Sequence, residues 1–333
     1  MELIYTDGTK FNDVGILNVK SGDFAWGTDE NDFELTLAGA QEVPDFRSFI
    51  YVEGTDVFGV VRGVDHNVDG SVRVSGVTWT GLLENRVLKP PSGSAYFTVS
   101  GDMRDCASSL IKQLGATDVF AVTGGKSGVS ASHTFKGRNN DEAQTDTGRY
   151  MGGWSALWQL LVDHKCKAVA RYDDVAHKVM LSITKAEDLT DTEDMEQVGT
   201  AVAIGVKKPV NHLVCLGQGE LAERTVLDLY MDSKGNVSTT QSLKGLDEIA
   251  DVYDDSGAED AKKLKSDGTD KLKEYWSDSQ NVDISLSSDR YDLGDLVGGT
   301  DPVTGIRATA TVTKKVLSLS GTVPTVSYET TLR

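Results

Sequence analysis

The amino-acid sequence predicts an α+β fold that is mainly β: two antiparallel β-barrel or sandwich domains, an α+β domain between them, and a helical insertion. Three observations lead to this prediction. Polar and apolar residues alternate near both ends of the chain, and a period of two places one face of a strand on a core. Two middle segments carry apolar residues at steps of three and four, as amphipathic helices do. A segment near residue 260 separates its acidic and basic residues, which favours one more helix.

The composition is that of a folded protein with an unusual charge balance. Its 333 residues are enough for more than one core, and 39% of them are hydrophobic, which excludes wholesale disorder. The 33 basic and 51 acidic side chains give a net charge of −18. Because affinity for a nucleic-acid backbone comes from Lys and Arg, direct binding of this chain to DNA or RNA is disfavoured.

Other sequence features bear on the compartment of the protein. The first residues lack the basic and apolar regions of a secretion signal, so we expect the mature chain to begin at Met1. No apolar run approaches the ~18 residues that a bilayer span needs, so we expect a soluble protein with no membrane insertion. The cysteines Cys106, Cys166 and Cys215 each lie among apolar neighbours, which predicts buried, reduced thiols.

Residues 1–92 are predicted to form the first β-barrel domain. Segments 32–37 and 71–77 alternate polar and apolar residues and are typical of half-buried strands. The segment 65–70 is rich in Asn, Asp and Gly, which predicts the turn of a hairpin. The Pro-Pro pair at 90–91 then ends regular structure and marks the first boundary.

Residues 93–190 are predicted to form a peripheral α+β domain. An amphipathic helix is expected over 102–114, with Gly115 in the position that ends a helix. A second helix is expected around 154–161, where Trp and Leu residues recur at helical spacing. A strand hairpin over 168–183 follows it.

Residues 191–333 are predicted to form the second β-barrel domain, with an acidic and lysine-rich helical insertion at about 245–278. Within the insertion we expect a helix over 258–277, although Gly268 costs about 1 kcal/mol of helix propensity relative to Ala. The strand candidates of this domain are residues 210–216, 225–230, 309–313 and 316–319.

Two partial motifs suggest ligand sites, and each has a simpler interpretation. Residues 124–127 resemble the end of a phosphate-binding loop, but Phe120 stands where the first glycine is required, so a long surface loop over 124–148 is favoured. Residues 65–70 match the first half of a calcium loop, but Gly76 stands where the bidentate Glu is required. The hairpin turn is therefore favoured there.

We predict no catalytic, cofactor-binding or metal-ligating residues. None of the histidines lies in a nucleophile elbow, and the sequence contains no Gly-x-Ser-x-Gly. His164 is explained by the C-terminal end of the helix dipole that it meets. For each acidic residue a solvated surface position is the default. The histidines are His66, His133, His164, His177 and His212.

The tryptophans bear on carbohydrate binding, because a sugar platform needs several aromatic rings on one exposed face. We expect four of them, Trp79, Trp154, Trp158 and Trp276, to lie in the core, since the local period points them inward. Trp26 is not assigned by this pattern. A carbohydrate-binding β-module is therefore a weaker alternative.

The order of segments resembles a known family. Four groups of segments carry the resemblance and follow one another along nearly the whole chain. They are residues 32–37, 49–54, 58–61, 72–76 and 82–91; residues 154–183; residues 211–219 with 223–226; and residues 291–297 with 305–308. In this order they resemble tail-tip hub proteins of tailed phages, the siphophage ReqiPepy-type tail family, which is related to the hub domain of tail-associated lysins and to contractile-tail baseplate hubs.

The resemblance implies a structural hub of a phage or phage-like tail tip or baseplate. Such a hub forms a homotrimer whose paired β-barrels continue the tail tube as a pseudo-six-fold ring. The implied partners are the distal tail protein, the tape measure, and a tip spike, fibre or receptor-binding protein, with DNA only as transiting cargo. The implied location is the virion tail, assembled in the host cytoplasm.

Catalysis by this chain is not expected. Lysin-type relatives carry a peptidase or glycosidase after the hub, whereas this sequence ends at Arg333. A tail-associated cell-wall hydrolase with its site in residues 93–190 is the alternative. The negative charge fits the hub, because an acidic lumen would repel the phosphates of passing DNA.

Overall fold

The computed structural model describes residues 1–39, 41–136, 149–190, 201–285, 291–300, 307–320 and 323–332. The α-helices in these residues are α1 (Trp79–Glu84), α2 (Met103–Gln113), α3 (Gly153–Asp163) and α4 (Ala261–Ser279). The strands are β1 (Leu3–Thr6), β2 (Asp13–Leu17), β3 (Val19–Gly27), β4 (Asp32–Leu37), β5 (Phe49–Tyr51), β6 (Phe58–His66), β7 (Val72–Thr78), β8 (Thr98–Asp102), β9 (Phe120–Thr123), β10 (Ser130–Thr134), β11 (Cys166–Asp173), β12 (Lys178–Lys185), β13 (Ala201–Val206), β14 (His212–Leu216), β15 (Val226–Met231), β16 (Val237–Ser238), β17 (Ala250–Asp254), β18 (Gln280–Ser285), β19 (Leu296–Thr300), β20 (Arg307–Ser318) and β21 (Thr325–Leu332). These elements confirm the predicted class, α+β and mainly β.

The largest unit is a ten-stranded sheet that curls into a half-barrel. Its order is β19-β20-β3-β4-β7-β6-β5-β1-β2, with β21 also paired to β20. The alternation predicted for residues 32–37 is confirmed, since Phe33 and Leu35 are buried while Asp32 and Glu34 are exposed. The hairpin turn predicted between β6 and β7 is also confirmed, and Gly70 supplies its left-handed conformation with φ of 83°.

The last strands of the chain lie in the same sheet as the first ones. β20 pairs antiparallel with β3, so that Lys315 lies opposite Trp26 and Val316 lies opposite Ala25. Strands from the first and third predicted domains therefore share one hydrogen-bonded sheet. The domain boundaries themselves stay a prediction. Alternation of polar and apolar residues predicts a strand, but it does not specify which other strand pairs with it.

The α+β unit follows the sequence prediction closely. α2 begins after Asp102, whose carboxylate accepts a hydrogen bond from the Arg104 amide at 3.0 Å, and Gly115 (φ 62°) follows its end. α3 ends at Asp163, and the C-cap residue His164 has its Nδ1 3.0 Å from the Leu160 carbonyl oxygen. Both predicted helices and the hairpin of β11 and β12 are confirmed.

The prediction of one long loop over 124–148 is wrong for part of that segment. Residues 130–134 form β10, which pairs antiparallel with β8. Its small polar residues give little strand signal, and only Ala131 is buried. The strand conformation of β10 therefore depends on its pairing with β8 and not on the local propensity of its residues. Residues 137–148 lie outside the described residues.

A second core lies between α4 and the four-stranded sheet β16-β15-β14-β17. The helix predicted over 258–277 is confirmed as α4. Gly268 faces the sheet, and a Cβ atom there would lie 2.5 Å from the Cys215 Sγ and 2.9 Å from a Leu229 methyl group. The glycine that weakens the helix locally therefore allows its backbone to approach the sheet closely.

A buried ion cluster joins the α+β unit to the start of β19. The Lys167 ammonium in β11 lies 2.8 Å from Asp292, 3.0 Å from Asp295 and 3.3 Å from Glu187. The Asp295 carboxylate also accepts the backbone amides of Glu187 (2.8 Å) and Asp292 (2.9 Å). One carboxylate thus connects two parts of the chain that are distant in sequence.

The remaining predictions concern cysteine and tryptophan. All three cysteines are buried and free, as expected. Trp79 and Trp154 are buried, Trp158 and Trp276 pack partly buried against the two cores, and Trp26 is also buried. Within the residues described above, no helix is long and apolar enough to cross a membrane.

Candidate functional site

The outer face of the large sheet carries a groove lined by acidic residues. It lies on β3, β4, β7 and β6 and has a volume of about 560 Å³. The register places Asp23 directly opposite Glu34, and Glu34 directly opposite Ser75. Because successive strand residues point to opposite faces, Asp32 joins these side chains on the outer face.

Phe33 and two glycines, Gly63 and Gly76, also line the groove, while the Phe33 ring is buried in the core beneath the sheet. The Phe33 ring stacks on Phe24 with the ring centroids 5.0 Å apart. A Cβ atom at Gly76 would overlap the Val60 carbonyl oxygen and lie 2.6 Å from the Phe33 ring. A Cβ atom at Gly63, beside the bulge in β6, would lie 2.5 Å from Ser75 Oγ. A larger residue at Gly76 would therefore disturb the core beneath the groove, and one at Gly63 would displace the Ser75 side chain.

The electrostatic character of the groove is negative. Burial raises the pKa of Asp23, and the neighbouring charges of Glu30, Asp32 and Glu34 raise it further. Burial, Glu30 and Glu34 raise the pKa of Asp32 in the same way. Like charges directly opposite each other weaken a sheet, so their position here is unfavourable for folding. Arg62 is the cation in the lining.

The groove is lined by four carboxylates, and two of them have a cationic partner. Glu30 lies 3.0 Å from the Lys314 ammonium, and Glu34 lies 3.3 Å from an Arg73 guanidinium nitrogen. Among the described residues, Asp23 and Asp32 form no ion pair. These two carboxylates therefore carry the uncompensated charge, which repels phosphates and attracts cations.

Two histidines and a cysteine of the α+β unit lie close together. His133 Nδ1 lies 3.6 Å from an Asp163 carboxylate oxygen, and its ring centroid is 5.9 Å from that of His164. Burial raises the pKa of the nearby Cys166 thiol to about 11, so it is not a thiolate nucleophile at neutral pH. No group of three or more His, Cys, Asp or Glu side chains in the described residues could hold a metal ion.

The two partial motifs have structural roles. The Asp102 carboxylate accepts the backbone amides of Ser127 and Gly128, each at 3.0 Å, so the glycine-rich segment packs against the start of α2. In the hairpin turn, Asp69 accepts the Ser71 amide at 2.9 Å and its hydroxyl at 2.7 Å. The carboxylates of Asp102 and Asp69 are thus occupied by local hydrogen bonds.

Sequence reasoning did not single out the groove. The available signal was the pattern of Asp32 and Glu34 at alternate positions of a strand, close to Asp23 and Glu30 in sequence. That pattern also describes an ordinary solvated strand face. The register of β3 against β4 is what brings Asp23 beside Glu34.

Comparison with known proteins gives structural matches only. No family model matches the sequence, and no curated protein matches it. The chain is similar in structure to a 43 kDa tail protein of prophage MuSo2 from Shewanella oneidensis, with a TM-score of 0.50 and 12% identity. This match covers 99% of the present chain and 98% of the other. At this identity the similarity is one of fold.

Two further solved structures give similar values. Prophage tail protein gp18 from Listeria monocytogenes EGD-e is 14% identical, with 98% of this chain and 94% of that chain covered and a TM-score of 0.49. A tail protein from Neisseria meningitidis MC58 is 12% identical, with 100% and 96% covered and a TM-score of 0.48.

Proposed function

We propose that this protein is a non-enzymatic structural hub of a phage or phage-like tail tip or baseplate. Three copies form a ring that continues the tail tube. The ring connects a distal tail ring and the tape measure on one side to a tip spike, fibre or receptor-binding protein on the other. DNA passes through it as cargo, and the protein resides in the virion tail after assembly in the host cytoplasm.

The observation that carries the proposal is the fold shared with the MuSo2 tail protein over nearly the full length of both chains. Because the match covers nearly all of both chains, it indicates a shared overall architecture rather than one shared module. The order of sequence segments that resembles tail hubs is a second, independent support. Fold alone does not specify function, so the role in the tail needs its own test.

Within this proposal the acidic groove faces the lumen of the ring. Asp23 and Asp32 carry uncompensated negative charge on an open sheet face. Each cation on such a wall would add affinity for DNA phosphates and slow the passage of DNA. This role also accounts for like charges placed opposite each other at a cost in stability.

The oligomeric state is the first test. Light scattering on the purified chain should give three times 35.9 kDa, and negative-stain images should show a three-fold annulus. A monomer at all concentrations would contradict the ring. Saturable glycan binding by that monomer would favour the carbohydrate-binding module. Turnover of host cell wall that is lost with one carboxylate substitution would favour the hydrolase.

The lumen assignment is tested with two double variants of equal net charge. Asp23→Lys with Asp32→Lys changes the net charge from −18 to −14, because each substitution adds two units. Glu2→Lys with Glu53→Lys makes the same change at exposed residues outside the groove. The assembled ring of the first variant should retain double-stranded DNA at low salt, and the second should not. Equal retention would contradict the assignment.

A further inference from the structure

One flank of α4 carries a row of exposed lysines. A turn of helix takes about 3.6 residues, so residues three or eight positions apart lie on the same side. This spacing places Lys262, Lys265 and Lys273 on one flank, and all three are exposed. Within the described part of the chain, none of them forms an ion pair. Their charges are therefore uncompensated, in a chain whose net charge is −18.

The opposite flank of α4 is acidic. Asp267, Asp270 and Glu274 recur there at steps of three and four. The Lys263 ammonium lies 3.0 Å from Asp267, and the Lys271 ammonium lies 2.8 Å from Glu274. These two lysines are therefore paired on the acidic flank and add nothing to the lysine flank.

The lysine flank lies along the β16 edge of the four-stranded sheet. Trp276 follows Lys265 by eleven positions, about three turns, so both lie on the same side of the helix. A Cβ atom at Gly235, in the turn before β16, would lie 3.0 to 3.2 Å from three atoms of the Trp276 indole. The same turn holds Lys234 and Asp232, whose opposite charges offset each other. The lysines of α4 therefore make this edge positive.

The acidic flank lies along the other edge of the sheet, β17. Tyr275 follows Lys271 by four positions, and its hydroxyl donates to the Asp251 carboxylate of β17 at 2.6 Å. Asp251 and Asp254 are exposed on this strand, and Arg224 contacts Asp254. On this edge and flank, the described acidic residues outnumber the cations that contact them. The β17 edge is therefore negative.

The two edges of this unit thus have opposite charge, and each is complementary to the other edge of a second copy. We infer that the lysine flank of α4 in one copy docks on the β17 edge of the next copy. Val252, 57% exposed between Asp251 and Asp254, supplies apolar surface for the contact to cover. The paired charges fix the orientation of the two copies.

The contact joins two different surfaces, so it is heterologous and repeats from copy to copy. Contacts of this kind generate a ring when the rotation between copies closes. The inference rests on the proposed ring and names a contact that holds neighbouring copies together. One amide of the β17 edge, that of Val252, already donates to the Asp251 carboxylate at 2.8 Å. The contact is therefore made by side chains and not by an added strand.

The test reverses the charge on each side and follows the oligomer of the full chain by light scattering over a dilution series. The lysine variant carries Lys262→Glu, Lys265→Glu and Lys273→Glu, which changes the net charge from −18 to −24 because each substitution removes two units. The swap variant adds Asp254→Lys, Asp270→Lys and Glu274→Lys, which restores the net charge of −18. The control variant carries Lys89→Glu, Lys126→Glu and Lys185→Glu at exposed positions of the α+β unit, and its net charge is also −24.

We expect the lysine variant to dissociate at concentrations at least about tenfold higher than the wild type, because like charges then face each other. The swap variant and the control variant should each remain within about threefold of the wild type. Circular dichroism melts check that every variant folds. A lysine variant that assembles like the wild type, or a swap variant that assembles no better than the lysine variant, would overturn the inference.

The wild type separates the failure of this contact from the failure of the ring. A trimer that persists unchanged in the lysine variant would overturn the contact and leave the ring standing. An oligomer of another size that is lost in the lysine variant and regained in the swap variant would support the contact and contradict the ring of three. A wild type that is monomeric at all concentrations would contradict both.

Discussion

Replacing Lys167 with methionine should destabilise the protein more than any surface substitution of a lysine. The side chain is 5% exposed, and its ammonium contacts three carboxylates. Asp295, 1% exposed, is the most buried of the three. Methionine keeps most of the apolar stem but leaves the Asp295 carboxylate buried without its cation.

The magnitude follows from this burial. Removing one partner of a buried ion pair costs about 3–5 kcal/mol, because the remaining charge is desolvated and unpaired. The two backbone amides bound to Asp295 retain part of its stabilisation, so we expect the lower end of that range. Exposed Lys185 on β12 is the matched control, and Lys185→Met should change the free energy of unfolding by about 0.5 kcal/mol or less.

The assay is urea unfolding at pH 7, followed by circular dichroism, of the wild type, Lys167→Met, Asp295→Asn and the double variant. The double variant should lose less than the sum of the two single losses, because it contains no unpaired buried charge. A loss of unfolding free energy below about 1 kcal/mol for Lys167→Met, or additive losses for the two single variants, would show that the Lys167–Asp295 pair does not act as described.

The pH dependence of the same cluster has a defined sign. Burial alone would lower the pKa of Lys167, but hydrogen bonds to Asp292 and Asp295 raise it well above its usual value. A raised pKa in the folded state gives stability that is complete below the unfolded value of about 10.4. That stability is lost as the pH rises through the folded value. The part of the wild type's advantage over Lys167→Met that depends on the Lys167 charge should therefore be lost in strongly alkaline solution.

Two other predictions concern the second core. Gly268→Ala should lower the free energy of unfolding, measured in urea, by about 1–3 kcal/mol, because the new methyl group overlaps Cys215 Sγ; this loss outweighs the better helix propensity of alanine. The control Ser266→Ala, at an exposed residue of the same helix, should not lower it. A Gly268→Ala variant that is more stable than the wild type would contradict the packing argument. Burial alone would lower the pKa of His212, but hydrogen bonds to Asp228 (2.9 Å) and Glu248 (2.7 Å) raise it. The stability that protonated His212 contributes is complete below its unfolded-state pKa of about 6.5 and is lost as the pH rises through its folded-state pKa. The urea midpoints of wild type and His212→Gln should therefore differ more at pH 5.5 than at pH 8.5. An equal difference at the two pH values would contradict this prediction.

Local chemistry made several elements predictable. α2 has an N-cap, an apolar stripe and a terminal glycine within one short segment, and its bounds agree with the sequence prediction to within one residue. The β6–β7 turn has the Asn, Asp and Gly residues that its backbone requires. β10 escaped prediction because its strand conformation depends on pairing with β8.

The class of fold, most helices, the buried thiols and the negative charge could be predicted from the amino-acid sequence, because each depends on residue type and short-range spacing. The pairing of β20 with β3, the position of Asp23 opposite Glu34 and the ion pair of Lys167 with Asp295 are visible only in the folded chain. Strand pairing joins residues far apart in the chain, and a polar–apolar alternation is compatible with many partners. The acidic groove arises at such long-range contacts, so its position could not be predicted from the sequence.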